Sequence, residues 1–436
     1  MKVLSSTKAS LKIGFAGMTH LGLVSAICTA SKGCTVYCFD QNIELIHELT
    51  KGNLPISEPG LTELFDCYDK NLIFITDSKQ LGECEIVYIA PDIPTNDYGK
   101  SDLSGIEDLI NLVFLSTSNK TIVVILSQVP PGFTRKNQKV NRLLYYQVET
   151  LIFGRAVERA TYPERIIIGS SQSKDSLAPV YLDFIHKFNC PVLVMSLESA
   201  ELAKISINMF LVASVSTTNM LAEICEKINA NWDEIIPALK LDKRIGNDAY
   251  LKPGLGISGG NLERDLATVL ELAQKNNTFA KTVNTWIDGS QHRKSWPMQM
   301  AKKFILDKRP TSIIALWGLA YKENTHSIKN SAAISTVASL KQVQFKGYDP
   351  AVASNLANLP NLSVLSNPID VLSDSDALMI LTPWAEFKEI PLHKIAAEMK
   401  GNLIFDPYQL FDINLGAEVG LQIIQLGKAA KPFANL

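Results

Sequence analysis

The sequence has no excess of charge of either sign and no apolar leader. Its 42 lysines and arginines and 44 aspartates and glutamates give a formal net charge of -2 over 436 residues. This balance excludes the basic surface that nucleic-acid binding needs, so we expect no nucleic-acid partner. The N-terminal stretch lacks the apolar core of a secretory signal, and we expect the apolar runs elsewhere to be too short to span a membrane. The expected location is therefore the cytoplasm, with no membrane segment.

Cysteine is sparse, and none follows Cys225. The seven cysteines do not show the spacing of a metal site, so we predict no metal centre. Cys34 and Cys38 lie in a segment predicted to form a buried strand, which favours reduced thiols that fill space. A catalytic thiol is excluded from residues 226–436.

Strand-like and helix-like patterns alternate along most of the chain. Hydrophobic residues make up 46% and charged residues 20%, which is typical of a globular protein, and the length predicts two or three domains. Short β-rich runs separated by helical patterns favour α/β domains with doubly wound parallel sheets. These runs are LKIGFAG, TVYCFD, EIVYIAP, TIVVILS and RIIIGSS, and later SIIALWGLAYK, VQFKGYDP, DALMILTPW and LIFDPY.

A helical segment separates the two groups of strands. Residues 198–230 contain neither proline nor glycine and keep apolar residues near helical spacing, which predicts one long helix. Residues 231–305 are predicted to be mostly helical as well. We therefore predict domains at 1–195 and 306–436, joined by a central segment at 196–305.

The segment GFAGMTHLGL follows the first predicted strand and opens a helix. Gly17 and Gly22 fit the first and third glycines of a dinucleotide-binding turn, and Asp40 fits its acidic residue at the end of the next strand. Thr19 occupies the second glycine position, where a side chain should crowd a pyrophosphate, or alternatively donate its hydroxyl hydrogen to a phosphate. A strand-to-helix turn without a ligand is the plain alternative. If a dinucleotide binds, Asp40 favours NAD over NADP, because a carboxylate repels a 2′-phosphate.

A second glycine cluster, KPGLGISGGNLERD, covers residues 252–265. Its glycines are too dense for a helix or strand interior, which predicts a loop that passes close to a ligand. Upstream, AELAKISIN places Lys204 and Asn208 four residues apart on one helix face. Asp265 alone could equally be the N-cap of a helix that starts at LATVLEL.

These segments together resemble the UDP-glucose/GDP-mannose dehydrogenase family over about residues 11–415. GLAYKENTHSIKNS and LTPWAEF are similar to its C-terminal motifs. The resemblance implies two Rossmann-like doubly wound domains joined by a central helical dimerisation segment. It implies NAD as cofactor, a UDP-sugar or related nucleotide sugar as substrate, a homodimer, and a place in polysaccharide biosynthesis.

The resemblance also implies the catalytic groups. Lys204 corresponds to the lysine that stabilises a developing alkoxide, and Asn208 to the asparagine that positions substrate and water. Asp265 matches the aspartate that holds the catalytic water, and Glu149 matches a motif glutamate. Asn261 stands at the position of the nucleophilic cysteine. An amide nitrogen is delocalised and nearly non-nucleophilic, so Asn261 can donate hydrogen bonds but cannot form a thioester.

Further binding residues follow from the same resemblance. The cofactor site extends to His20 and Leu21 in the glycine turn and to Lys329. Arg244 corresponds to an arginine that reaches the substrate diphosphate of the neighbouring subunit. The remaining substrate-binding residues are Tyr250, Lys252, Gly256 and Lys322. For Thr382 and Trp384, packing explains the motif as well as ligand contact does.

Departures from the family pattern cluster at positions that touch ligand. Loss of activity followed by drift would produce this clustering, and so would adaptation to another substrate. The substituted positions include Ile93, Gln128, Val148, Phe153, His326, Lys329 and Tyr408.

The sequence thus predicts an NAD-dependent nucleotide-sugar dehydrogenase, similar to UDP-glucose 6-dehydrogenases, with altered catalysis. The alternative is a non-catalytic homologue that binds a nucleotide or nucleotide sugar, or serves as an oligomer partner. A plain NADP-dependent 2-hydroxy-acid or 6-phosphogluconate-type dehydrogenase is disfavoured by Asp40 and by the second glycine cluster.

Overall fold

The computed structural model describes residues 10–96, 99–171, 177–257, 260–307, 309–353 and 359–430. The chain divides into two compact units, Met1–Ile207 and Asn208–Leu436. Each unit contains one β-sheet, and the three domains bounded at residues 195 and 305 stay a prediction. Ser258 and Gly259 of the second glycine cluster lie outside the described residues.

The N-terminal unit is built on an eight-stranded sheet in the order β3-β2-β1-β4-β5-β6-β7-β8. Its strands are β1 Lys12–Ala16, β2 Thr35–Phe39, β3 Leu72–Ile75, β4 Ile86–Ile89, β5 Ile122–Ile125, β6 Leu143–Gln147, β7 Ile166–Ser170 and β8 Val192–Ser196. Strand order reverses between β1 and β4, as in a doubly wound fold. The sheet is parallel except that β7 runs antiparallel to β6.

Helices cover this sheet, and the last of them ends in the second unit. In chain order they are α1 His20–Ala30, α2 Ile43–Thr50, α3 Leu61–Tyr68, α4 Ser104–Ser116, α5 Phe133–Lys136, α6 Ala156–Thr161, α7 Pro179–Ile185 and α8 Leu197–Ile228. The helix α8 spans 32 residues and confirms the predicted long helix. Strands β4 and β5 are buried along their whole length, which explains their unbroken apolar sequences.

The C-terminal unit has a six-stranded parallel sheet in the order β11-β10-β9-β12-β13-β14. Its strands are β9 Ile313–Trp317, β10 Gln344–Tyr348, β11 Leu362–Val364, β12 Ala377–Ile380, β13 Leu403–Phe405 and β14 Gln422–Ile424. Its helices after α8 are α9 Trp232–Leu241, α10 Gly260–Lys275, α11 Lys281–Lys294, α12 Trp296–Ala301, α13 Ala332–Ser339, α14 Leu392–Glu398 and α15 Ile413–Glu418. The predicted strands of this half are therefore confirmed, whereas β11 and β14 were not foreseen.

Helix α10 begins earlier than the sequence predicts. It starts at Gly260, so Asn261 and Asp265 are helical residues. The interpretation of Asp265 as an N-cap is therefore wrong. Glu263 in the first turn favours the helix electrostatically, because a carboxylate there interacts well with the helix dipole.

Helix α8 also corrects the expectation about apolar runs. By length and composition it could cross a membrane, with a mean hydropathy of 1.4 over its most apolar 18 residues. A long core helix passes the same test. Near its start, Glu201 is fully buried and accepts backbone hydrogen bonds from Gly132 and Thr134, so this end of the helix packs inside the protein. Residues 205–222 carry no charge but include seven polar residues, Ser206, Asn208, Ser214, Ser216, Thr217, Thr218 and Asn219.

Candidate active site

Four predicted site residues of the N-terminal unit lie just after the carboxyl ends of parallel strands. Gly17 follows β1, Asp40 follows β2, Gln128 follows β5 and Glu149 follows β6. Strands β2, β1, β4, β5 and β6 all run parallel, so these residues emerge at the same edge of the sheet. In open α/β sheets this edge is where ligands bind.

The two glycines of the first turn are required by the backbone geometry. Gly17 has φ +96°, a conformation that side chains rarely adopt, and its amide donates to the Phe39 carbonyl at 2.9 Å. A Cβ on Gly22 would lie 1.8 Å from the carbonyl oxygen of Gly17. Helix α1 therefore packs directly on the turn, which leaves the N-terminal end of the helix available to an anion.

Asp40 holds this turn in place. Its carboxylate accepts the backbone N–H groups of Met18 at 2.8 Å and Asn42 at 2.9 Å. Thr19, the N-cap of α1, makes no side-chain bond to its own helix. Instead its hydroxyl accepts the amide of Asp92 at 2.7 Å. The hydroxyl hydrogen stays available to a phosphate, while the methyl group occupies the space that the usual glycine leaves.

A cavity of about 310 Å³ adjoins the turn. Its wall includes Gly17, Thr19 and Asp40, and it also carries the carboxylates of Asp92 and Asp102. Three carboxylates around one cavity oppose a bound phosphomonoester. The cavity therefore suits the unphosphorylated adenosine ribose of NAD better than that of NADP.

The C-terminal unit repeats the same turn. Gly318 has φ +91° and donates to the Tyr348 carbonyl at 2.8 Å. Asp349 accepts the amides of Leu319 and Ala320, as Asp40 accepts that of Met18. Thr382 is fully buried here and donates to the Ala320 carbonyl, and the indole of Trp384 donates to Asp349 at 3.1 Å. For Thr382 and Trp384 these contacts favour the packing interpretation.

Lys204 and Glu149 form an ion pair in the N-terminal unit. The Lys204 Nζ lies 2.8 Å from Glu149 Oε1, and the two side chains are only 13% and 14% exposed. The other carboxylate oxygen accepts the Leu151 amide at 2.9 Å. Partial burial strengthens the pair, since water screens it less than it would at the surface. An ammonium group held in this way is suited to stabilise a nearby oxyanion.

Asn208 and Asp265 form the corresponding polar pair in the C-terminal unit. The Asn208 amide donates to Asp265 Oδ2 at 2.5 Å, and the two residues are 7% and 1% exposed. Arg264 lies 3.6 Å from the other carboxylate oxygen of Asp265. Lys204 and Asn208 are one turn apart in α8, as the sequence predicts.

Asn261 lies in the first turn of α10 and is exposed to solvent. Within the C-terminal unit the sole cysteine is Cys225, which lies 17 residues beyond Asn208 on α8 (225 − 208). At the helical rise this separation is about 26 Å, too far for Cys225 to replace the nucleophile at that site. Burial also raises the pKa of the Cys225 thiol, which keeps it protonated and unreactive.

The remaining binding residues occupy loops of the C-terminal unit. Arg244 is highly exposed and pairs with Asp242 at 2.6 Å. The Tyr250 carbonyl accepts the hydroxyls of Ser214 and Thr218 on α8, which fixes the start of the substrate loop. Gly256 has φ +78°. Lys252 is exposed, and Lys322 and Lys329 are half-buried in the segment after β9.

Two predicted cofactor residues also make contacts within the N-terminal unit. Leu21 is 5% exposed and its side chain belongs to the hydrophobic core, so only its backbone faces the turn. The His20 ring contacts Glu58 at 2.8 Å and lies against the Phe153 ring at a tilt of 37°. Sequence reasoning missed Glu58, because its loop NLPISEPG has the composition of a solvent-exposed turn. It also missed Glu201, one turn before Lys204, whose carboxyl pKa is raised by burial.

Two departures from the family pattern are accommodated by packing. The Tyr408 hydroxyl donates to the Leu381 carbonyl at 3.2 Å, and burial raises the pKa of this phenol. Gln128 is also buried, with 7% of its surface exposed.

In the part of the chain that the structure describes, no three histidine, cysteine, aspartate or glutamate side chains are grouped to hold a metal ion.

Three family models match successive parts of the chain. The NAD binding domain of the UDP-glucose/GDP-mannose dehydrogenase family matches residues 11–185, its central domain 198–290, and its UDP binding domain 315–413. The chain belongs to the UDP-glucose/GDP-mannose dehydrogenase family. The N-terminal unit therefore contains the family's NAD-binding domain, and the turn at Gly17 and the cavity beside it fit that cofactor. NAD and the two Rossmann-like domains are confirmed.

Known proteins of similar sequence and structure cover almost the whole of this chain. It is 29% identical to the UDP-glucose 6-dehydrogenase TuaD of Bacillus subtilis, covering 96% of this chain and 94% of that one. A UDP-glucose 6-dehydrogenase of Rhizobium meliloti is also 29% identical, with coverage of 96% and 100%. A UDP-D-ManNAc dehydrogenase structure from Pyrococcus horikoshii superposes with a TM-score of 0.83 at 23% identity, covering 97% and 100%. The last similarity shows the shared fold.

Replacing Thr19 with glycine is expected to tighten NAD binding several-fold, because the methyl group no longer crowds the pyrophosphate. Loss of the hydroxyl that accepts the Asp92 amide should offset part of this gain, by about 1 kcal/mol. The matched variant Thr19→Ser keeps that hydrogen bond and removes only the methyl group, so it should tighten binding at least as much. Calorimetry with NAD measures both effects. Weaker binding to both variants would show that Thr19 helps to hold the cofactor.

Proposed function

We propose that the protein oxidises the primary alcohol of a UDP-sugar, most simply a UDP-hexose, with NAD as acceptor and without a covalent thioester. The observation that carries this proposal is the pair of buried polar contacts on α8, Lys204 with Glu149 and Asn208 with Asp265. Lys204 and the two acids, Glu149 and Asp265, are thus present as the family motif requires. Asn261 stands in place of the catalytic cysteine. UDP-glucose 6-dehydrogenases at 29% identity support the substrate class.

The first oxidation needs no thiol. The alcohol O–H loses its proton to a basic group and its C–H bond breaks. NAD held at the Gly17 turn would supply the oxidising power by accepting the hydride with its electron pair. Lys204 stabilises the negative charge that develops on the oxygen, an effect worth a factor of about 10² to 10³ in comparable sites. Asp265, through a water molecule, or Glu149 accepts the proton. The product of this step is an aldehyde.

In the second oxidation the protein departs from the mechanism that its resemblance to the family implies. A cysteine would add to the aldehyde and form a thiohemiacetal, which then loses a hydride to give a thioester. The Asn261 amide has no available lone pair on nitrogen, so only water can add, giving the hydrated aldehyde. Oxidation of that hydrate is not assisted by a covalent intermediate and should be slow. We therefore infer that the aldehyde is the main product.

A panel of nucleotide sugars tests the function. NADH formation should be fastest with UDP-hexoses that carry a free C6 hydroxyl, and absent with the matching 6-deoxy sugar. Tight binding of nucleotide sugars with no NADH from any of them would instead favour the non-catalytic homologue. Absence of NAD binding would remove the oxidoreductase proposal altogether.

We propose a homodimer that forms through α8 and functions in the cytoplasm. Several large apolar side chains of this helix are exposed, among them Phe210 at 80%, Met220 at 56% and Ile228 at 66%. Large apolar side chains exposed along one helix favour an association site. In that dimer we propose that Arg244 reaches the partner's substrate. It is exposed, and an exposed ion pair such as the one it forms with Asp242 is weak enough to be exchanged for a diphosphate.

Light scattering at micromolar concentration is expected to give the mass of a dimer. Phe210→Glu should shift the protein toward monomer, because a carboxylate at the centre of an apolar interface loses its hydration. Leu115 is 87% exposed on α4, so Leu115→Glu is the matched control and should leave the mass unchanged. A monomeric wild-type protein would reject the dimer.

Replacing Asn261 with cysteine is expected not to restore oxidation of UDP-glucose to the acid. We expect the other substitutions to have reshaped the pocket as well. Phe153 has an apolar ring where the resembled motif has a carboxylate, which would leave substrate hydroxyls without a partner at about 1–3 kcal/mol each. The measurement is NADH formed per UDP-glucose, with Asn261→Ser as control. Two NADH per sugar at a rate ordinary for the family would show that the thiol alone was missing.

A further inference from the structure

Glu58 joins two segments of the N-terminal unit that are distant in the sequence. Its side chain is only 1% exposed, and Oε1 lies 2.8 Å from Nε2 of His20. Its second oxygen accepts the backbone amides of Gly154 at 2.9 Å and Ala156 at 3.3 Å. A carboxylate is buried only when its oxygens are well satisfied, so these contacts fix the relative position of both segments.

The first segment is the cofactor turn itself. His20 is the first residue of α1 and directly follows the N-cap Thr19. Phosphates bind at this end of a helix, where the backbone N–H groups are free of helical partners. The position of His20 is therefore tied to the position of a bound pyrophosphate.

The second segment leads to the ion pair. Phe153, at 46% exposure, places its ring 4.3 Å from the His20 ring, centroid to centroid. Four residues earlier, Glu149 accepts the Leu151 amide and pairs with Lys204. Direct contacts thus run from the glycine turn through Glu58 and the segment 149–156 to the lysine.

We propose that His20 and Glu58 are positioning residues that couple NAD binding at the turn to the geometry of the Glu149–Lys204 pair. The coupling rests on the proposed function, since it requires the dinucleotide at the turn. His20 and Phe153 act as a unit: the imidazole holds Glu58 on one side and the aromatic ring on the other. NAD bound at the turn then orders the segment 149–156, and this order positions Lys204 to stabilise the alkoxide.

Hydrogen–deuterium exchange of the peptide that covers residues 149–160 tests the coupling in the full-length protein. In the wild type, saturating NAD should slow exchange of the Gly154 and Ala156 amides. His20→Leu should still bind NAD, because the turn binds through its backbone, but NAD should no longer slow this exchange. His47, which also lies near a glutamate at 3.5 Å, supplies the control variant His47→Leu, expected to behave as wild type.

Kinetics give a second measurement that a purely structural role would not reproduce. In His20→Leu, kcat should fall roughly 5- to 10-fold, and since the coupling is reciprocal the affinity for NAD should change by a small factor that matches the lost protection. NAD-induced protection in His20→Leu equal to that in the wild type would overturn the coupling, as would NAD binding to the wild type without any protection of 149–160. Failure of the wild type to bind NAD would instead refute the proposed function, and the coupling with it.

Discussion

Replacing Lys204 with methionine is expected to lower the rate of NADH formation by about 10² to 10³, with little change in the affinity for NAD. Methionine keeps the length and apolar stem of lysine but removes the charge that stabilises the alkoxide. Because that charge matters in the transition state, kcat should fall more than the KM for the sugar rises. Steady-state kinetics with the best nucleotide sugar provide the measurement.

Two controls separate catalysis from stability. Lys227 lies on the same helix and is exposed, so Lys227→Met should leave turnover unchanged. Methionine at 204 also leaves the Glu149 carboxylate without its cation, which destabilises the fold. Adding Glu149→Gln removes that uncompensated charge and should recover thermal stability without recovering activity. Activity of Lys204→Met within a few-fold of wild type would contradict the assigned role.

Replacing Gly22 with alanine is expected to destabilise the N-terminal unit by about 3 kcal/mol or more and to abolish NAD binding. The added Cβ would lie 1.8 Å from the Gly17 carbonyl oxygen and 3.1 Å from that of Ala90. Both are backbone atoms, so α1 must move away from the turn as a whole. Denaturant unfolding and calorimetry with NAD measure the two effects.

Gly105 is the matched control for this substitution. It lies in helix α4 of the same unit, and a Cβ there meets no atom within 4 Å. Gly105→Ala should therefore be neutral or slightly stabilising, since alanine loses less backbone entropy in a helix. Gly105 also lines the cavity beside the turn, so the comparison is one of stability. If Gly22→Ala unfolds at the same denaturant concentration as Gly105→Ala, then α1 does not pack on the turn.

The alternation of apolar strands and helices was sufficient to predict the two Rossmann-like domains and the long helix. Strands such as EIVYIAP are buried on both faces, so their composition alone identifies them. Strand β3, LIFI, exposes one of its four residues and partly exposes another, and strand β6, LLYYQ, is only partly buried at both ends. Both sequences are as apolar as that of β4, so nothing in the structure explains why these two strands were missed.

The site was predictable only where a motif fixes local geometry. Gly17, Gly22 and the spacing of Lys204 and Asn208 follow from turn and helix geometry. Glu58 was not predictable, because its partners His20 and Gly154 lie 38 and 96 residues away. The start of α10 was misjudged because glycine density suggested a loop as far as Asp265, whereas the residues from Asn261 onward suit a helix.

The central claim is that this family member oxidises its sugar without a thioester. The most direct test counts NADH per molecule of UDP-hexose consumed and identifies the product by mass spectrometry, with hydroxylamine present to trap aldehyde as the oxime. We predict one NADH per sugar in the main phase, with the trapped aldehyde as product and any uronic acid appearing only slowly. Two NADH per sugar, with the uronic acid formed at once and no oxime, would contradict the account.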